Sequence, residues 1–286
     1  SLICQAAQRQ VGAIVFPELC ITGYTCGDLF LHQPLLQGAK TALLKIAQQT
    51  KKLDILSIVG LPVFSQGELY NCAAVLYHGD LLGLVGKQNI PNYNEFYEAR
   101  HFSPCPEHGQ YTINGTQVPL SSRLIFRCIE QPDLVFGIEI CEDLWVSSSP
   151  SVHLSEAGAT LIFNPSASDE VVGKSDYRRL LVSSQSARLL CAYAYADAGE
   201  GESSTDLVFA GHNLIAENGA ILAESSAFST GVICADIDLQ RLMQERRRTT
   251  TWHNCKHQEC EEVYFSFPQK ELSLQRKFPP MPFVPA

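Results

Sequence analysis

"NCAAVLYHGDLLGLVGK", Asn71 to Lys87, reads as two apolar runs folded back on each other across His78-Gly79-Asp80. Around it the chain alternates strands and helices. Continuous apolar runs occur at Gly12 to Phe16, Asp54 to Val59, Leu134 to Cys141, Ala159 to Phe163 and Leu190 to Ala196, with helical spacing at Leu35 to Lys51 and Ser175 to Leu190. Runs without polar alternation are strands covered on both faces. Such alternation alone suggests a doubly wound parallel sheet, which needs no hairpins. A second hairpin, "HNLIAENGAILAES" from His212 to Ser225, turns at Asn218-Gly219, a pair suited to positive φ at both turn positions. Hairpins buried on both sides call for mixed sheets, or for two sheets packed together with helices outside. The expected class is therefore α/β with mixed sheets.

The 286 residues suffice for a large core, and residues 1–270 are read as one globular domain. No apolar run approaches the roughly 20 residues that span a bilayer, so no membrane partner is expected. A formal charge of −9 argues against nucleic acid, whose phosphates need clustered Lys and Arg. The substrate is expected to be small. Eleven cysteines, an odd number scattered through strands and helices, indicate a reducing, cytoplasmic setting. The chain opens inside a helical pattern (Leu2, Ile3, Ala6, Val11) that stops at Gly12, so a preceding strand is expected. Residues 271–286, ending "KFPPMPFVPA", read as a proline-rich linker or arm.

In α/β proteins sites gather where strands end. "AIVFPEL" delivers Glu18, "LLGLVGK" delivers Lys87 and "VFGIEIC" delivers Cys141. A carboxylate can take the thiol proton, and an ammonium can stabilise the oxyanion formed when the thiolate attacks a carbonyl carbon. The acids around Cys141 in "GIEICEDLW" oppose its ionisation. Strand alternation places Glu139 on the face of Cys141, whereas Glu142 and Asp143 lie beyond the strand end.

Other motifs fit less well. There is no G-x-S-x-G elbow, and neither His153 nor His212 stands in a setting that marks it as a partner for Cys141. "SASDEVVGKS", Ser166 to Ser175, ends like a phosphate loop but lacks the first glycine and carries Asp169 and Glu170. Ser168 and Lys174 there suit a small carboxylate. "HNCKHQEC", His253 to Cys260, reads as a solvated segment rather than a zinc site, and no metal is assigned. "QERRR", Gln244 to Arg248, reads as an exposed helix end.

"FPELCITGYTCGDLF", "GKQNIPNYNEFYEARHF" and "GIEICEDLW" resemble the Glu, Lys and Cys motifs of the nitrilase (carbon-nitrogen hydrolase) superfamily. More narrowly, with "FNPSASDEVVGKSDYRRLL", "SSTDLVFAGHNLIAENGAILAES" and "PFVP", they are similar to the glutaminase domains of glutamine-dependent NAD+ synthetases. The resemblance covers nearly the whole chain from Gly12. It implies a four-layer α-β-β-α sandwich, with Glu18 as general base, Lys87 as oxyanion stabiliser, Cys141 as nucleophile and the Glu142 backbone amide as second oxyanion donor. It implies glutamine contacts at Tyr24, Tyr93, Ser168 and Lys174, and a further carboxylate at Glu95 or Glu98. It implies no cofactor for this domain. ATP and Mg2+ would belong to a C-terminal synthetase domain of the same polypeptide, whose S-G-G-x-D-S loop does not occur in these residues. A homo-oligomer is also implied. Competing readings are a stand-alone amidase or nitrilase acting on another small amide or nitrile, and a binding module that keeps the fold without turnover.

Overall fold

A computed structural model of the chain describes residues 1–204, 206–254, 259–268 and 276. The first half contains α1 (Leu2–Gln8), β1 (Ala13–Val15), α2 (Gln33–Thr50), β2 (Leu56–Ser65), β3 (Glu68–Tyr77), β4 (Asp80–Gly86), β5 (Gln110–Ile113), β6 (Thr116–Ser121) and β7 (Leu124–Cys128). The second contains β8 (Val135–Ile138), α3 (Pro150–Glu156), β9 (Leu161–Ser166), α4 (Lys174–Arg188), β10 (Ala192–Asp197), β11 (Leu214–Glu217), β12 (Ala220–Glu224), α5 (Leu239–Arg248) and β13 (Glu261–Phe265).

Two mixed sheets result, ordered β1-β2-β3-β4-β6-β5 and β12-β11-β10-β9-β8-β7-β13. Both expected hairpins form. His78 and Gly79 turn at φ 48° and 88°, and Asn218 and Gly219 at 46° and 88°, as two-residue hairpin loops require. β2 and β3 form a third hairpin at Gln66-Gly67, with β2 running well past Val59.

Alternation along the strands divides the core into layers. Leu56, Ile58, Ala73, Val75 and Val85 face Phe126, Phe136, Leu161, Phe163 and Ala194 across the gap between the sheets. The other side of the first sheet, Val59, Leu61, Cys72 and Ala74, packs under Leu43 and Ala47 of α2. The other side of the second, Ile125, Ile162, Tyr193 and Tyr195, packs under Leu154 of α3 and Val182 of α4. The order is α-β-β-α, which is why the strands read as continuous apolar runs.

The "QERRR" reading needs correction. Arg246 is buried on α5, where its guanidinium donates to the carbonyls of Gly158, Ala159, Leu189 and Leu190 and stacks on Trp252. These carbonyls, left over where α4 and the loop before β9 end, need a donor. No helix among the described residues is long and apolar enough to cross a membrane. The heart of "HNCKHQEC" and nearly all of the 271–286 arm lie outside the described residues.

Candidate active site

Three strand ends meet between the sheets. Beyond β1 the chain reaches Glu18 by passing tightly over Gly60 of β2, where a Cβ would lie 2.3 Å from the Leu19 nitrogen and 2.8 Å from the Pro17 oxygen. Lys87 follows β4 directly and extends its pairing with β3, its N–H donating to Asn71 O at 2.9 Å. Cys141 opens a 3-10 turn, Cys141–Leu144, three residues past β8, with φ at +45°. A non-glycine residue held there is uncommon and persists only where its surroundings over-determine it.

Lys87 Nζ donates to Glu18 Oε1 and Glu98 Oε1, both at 2.7 Å. Lys87 is 0% exposed and Glu18 1%. Asn71 Nδ2 donates to Glu18 Oε1 at 2.6 Å, and the Ala167 amide to Glu18 Oε2 at 2.9 Å. The same Ala167 amide favours the ionised Cys141 thiol, an effect smaller than those of burial and of the Glu18 charge. Tyr24 donates to Glu98 Oε1 at 2.7 Å. The further carboxylate is thus Glu98; Glu95, half-buried in the same loop, is not bonded to Lys87.

Burial pushes the Glu18 carboxyl up to about 7, with Lys87 pulling down and Glu98 pushing up. Burial, then the Glu18 charge, hold the Cys141 thiol well above its usual range against the pull of Lys87. Burial disfavours the Lys87 ammonium, but Glu18, Glu98 and Cys141 outweigh it and hold its pKa above the ordinary lysine range. The resting site is therefore a neutral thiol beside a carboxyl poised near neutrality and a fixed cation. Such a set transfers a proton during attack rather than storing a thiolate.

A family model for carbon-nitrogen hydrolases matches residues 1–247. The chain belongs to the carbon-nitrogen hydrolase family. It is 41% identical over 283 residues to the glutamine-dependent NAD(+) synthetase of Mycobacterium tuberculosis strain H37Rv, covering 95% of this chain and 42% of that protein. The solved glutamine-dependent NAD(+) synthetase from Cytophaga hutchinsonii superposes with a TM-score of 0.71 at 33% identity, over 79% of this chain and 37% of that one. An amidase from Nesterenkonia sp. superposes at 0.61 with 20% identity, over 86% of both chains, a likeness of fold alone. The chain spans about two fifths of the length of the curated Mycobacterium tuberculosis relative.

Around the reactive groups of this carbon-nitrogen hydrolase, the acids next to Cys141 find other partners. Asp143 accepts the backbone N–H groups of Ile140 at 3.0 Å and Asn89 at 2.8 Å, and Glu142 accepts the Tyr93 hydroxyl at 2.8 Å. The expectation that Glu139 shares the face of Cys141 is wrong. Regular strand ends at Ile138, and the left-handed turn puts Cys141 with Ile138 and Ile140 in the inter-sheet layer. Glu139 points to the helix side, accepting from the Tyr193 hydroxyl and, at 2.7 Å, from the Ser151 amide.

The phosphate-loop reading fails physically, because the loop's own acids occupy the helix start. Glu170 accepts the Ser175 amide at 3.1 Å and pairs with Arg178, while Asp169 pairs with Lys174. Lys174 also lies over the rings of Phe96 and Trp145, and acts electrostatically on Glu142 near Tyr93. Ser168 is buried; its hydroxyl accepts from Arg178 at 3.2 Å and its amide donates to Asp197. His212 is taken by Arg178 and Glu224, and His153 faces Glu156, so neither serves the thiol.

Asn71, Asn164 and the Ala167 amide escaped the reading of the sequence. A lone amide inside an apolar run, as in "LYNCAAVL" or "LIFNPS", was the available signal. A cavity of about 590 Å³ runs from α1 and β1 to residues 229–237, reaching Pro17 and Asp197, but Glu18, Lys87 and Cys141 do not line it.

Proposed function

We propose that this chain hydrolyses the side-chain amide of glutamine through a thioester on Cys141, as the ammonia-releasing part of a glutamine-dependent NAD+ synthetase. The observation that carries the reading is Lys87 bonded to both Glu18 and Glu98 beside a buried, un-ionised thiol. The likeness to synthetases along 95% of the chain supports glutamine as substrate.

Glu18 takes the Cys141 proton as the sulfur bonds to the amide carbon. The oxyanion is held by Lys87 and by the Glu142 N–H, which has no acceptor among the described residues. Collapse breaks the carbon-nitrogen bond, and the proton on Glu18 passes to the leaving nitrogen. Glu18 then removes a proton from water, which attacks the thioester to give glutamate and restore the thiol. Tyr24, Tyr93, Ser168 and Lys174 are assigned to substrate contact, Lys174 and Ser168 to its charged α-groups.

Nucleophile, base and oxyanion support all come from side chains and backbone, so no cofactor is assigned to this domain. ATP and Mg2+ are assigned to a synthetase domain reached through the 271–286 arm, where the ammonia would amidate nicotinic acid adenine dinucleotide. A cytoplasmic, homo-oligomeric enzyme without membrane or nucleic-acid partners completes the proposal; free thiols at Cys4, Cys20 and Cys26 fit a reducing compartment.

The test is mass spectrometry after incubation with a diazo-ketone analogue of glutamine. One adduct on Cys141, absent in Cys141→Ala, is expected. An adduct elsewhere overturns the nucleophile, and preference for short aliphatic amides in a substrate panel overturns glutamine.

A further inference from the structure

Behind Cys141 runs a buried chain of hydrogen bonds that the reaction itself does not use. The Cys141 backbone N–H donates to Asn164 Oδ1 at 3.1 Å, which also accepts the Ser166 hydroxyl at 2.7 Å. Asn164 Nδ2 donates to the Tyr193 oxygen at 2.9 Å, and the Tyr193 hydroxyl donates to Glu139 Oε1. Glu139 Oε2 accepts the Ser151 amide at 2.7 Å. Asn164 and Tyr193 are both 0% exposed.

The Cys141 end fixes the orientation of the Asn164 amide. A backbone N–H only donates, so the Asn164 oxygen must face Cys141 and its nitrogen must face the phenol. The phenol, accepting from Asn164, turns its own proton to the carboxylate. Glu139 closes the chain at its far end; without the Tyr193 oxygen the Asn164 nitrogen loses its acceptor, and the amide that holds Cys141 is anchored only through its own oxygen.

Neighbouring residues are anchored without this chain. The Glu139 amide pairs with Phe163 O at 3.1 Å, and Asp143 takes the Ile140 amide. Cys141, at φ +45°, is where the extended backbone beyond β8 turns into the 3-10 segment, and Asn164 accepts its N–H there. A buried polar chain is harder to satisfy than apolar packing, and its best-attested use is to specify one geometry.

We infer that Asn164, Tyr193 and Glu139 are positioning residues: they hold the Cys141 backbone in its left-handed conformation, aiming the sulfur at the substrate carbon and leaving the Glu142 N–H for the oxyanion. The inference rests on Cys141 as nucleophile. It extends the site three side chains outward, to a carboxylate on the helix side of the second sheet.

The experiment measures inactivation by the diazo-ketone glutamine analogue, separating the maximal rate from the half-saturating concentration, with thermal melting alongside. Tyr193→Phe keeps the ring and removes the acceptor; Asn164→Leu keeps the volume and strands the Cys141 N–H. A small misplacement of reacting atoms costs up to about a hundredfold. Tyr193→Phe should lower the maximal rate about tenfold and Asn164→Leu about a hundredfold, with half-saturation within about threefold. A folded Tyr193→Phe protein with an unchanged maximal rate, whatever its melting temperature, overturns the inference, as does a loss confined to half-saturation. Should Asn164→Leu not fold, Tyr193→Phe decides. If the wild-type protein takes no adduct on Cys141, the catalytic reading has failed and the positioning role falls with it.

Discussion

Lys87 Nζ stands 2.7 Å from Glu18 Oε1, and neither side chain is exposed to water. One cation is shared between two carboxylates, because Glu98 Oε1 lies at the same distance. The ammonium keeps the base from being neutralised outright by burial, and the second carboxylate keeps that base from becoming too weak. This balance explains why a carboxyl in the core sits near neutrality.

Replacement Lys87→Met should abolish turnover, since loss of an oxyanion donor typically costs about a hundredfold or more. Stability should fall by about 3 to 5 kcal/mol, the usual penalty for stranding one side of a buried pair. Ammonia release and thermal melting measure the two effects; near-normal release would remove Lys87 from the oxyanion role.

The acid limb of the reaction reports Glu18. Only its ionised form accepts the thiol proton, so acylation of Cys141 should fall about tenfold per pH unit below about 7. The sign for stability is opposite. Because the folded pKa of about 7 exceeds the ordinary 4.5, this group's contribution is complete below about 4.5 and is lost as pH rises through 7. Glu18→Gln should remove the acylation limb but only this group's share of the stability dependence, since burial also pushes the Glu139 and Asp197 carboxyls up to about 7; an acylation limb that persists in Glu18→Gln assigns it to another group.

Thiol reactivity should divide by environment. A hydrogen bond from Ser1 lowers the Cys4 thiol, whereas burial pushes Cys105 and Cys191 up to about 12. Iodoacetamide should therefore modify Cys4 ahead of those two, as peptide mapping over time would show. The diazo-ketone analogue should instead choose Cys141, whose reactivity depends on substrate binding beside Glu18 rather than on a resting thiolate.

Gly60 supports the base without touching it. Gly60→Ala would drive a methyl against the backbone of Pro17 to Leu19, costing about 1 to 3 kcal/mol of stability. Turnover should fall with it, because the strained segment carries Glu18. A variant that melts and turns over like the wild type would show that the segment relaxes freely.

Much of this molecule was legible in local pattern. Unbroken apolar runs meant two-sided burial, and His78-Gly79 and Asn218-Gly219 meant hairpins, because φ preferences and strand periodicity act within a few residues. Glu18, Lys87 and Cys141 announced themselves as polar residues closing such runs. The face of Glu139, the burial of Arg246 and the choice of Glu98 over Glu95 were not legible. Each depends on a partner distant in sequence: Tyr193 for Glu139, the carbonyls of residues 158–159 and 189–190 for Arg246, Lys87 for Glu98. Sequence by itself determined which chemistry was present and roughly where each strand ended. Only the tertiary structure decided how those ends meet, because one left-handed residue at Cys141 breaks the alternation that sequence reasoning extends, and hydrogen-bond partners across two sheets then decide where each buried polar group points.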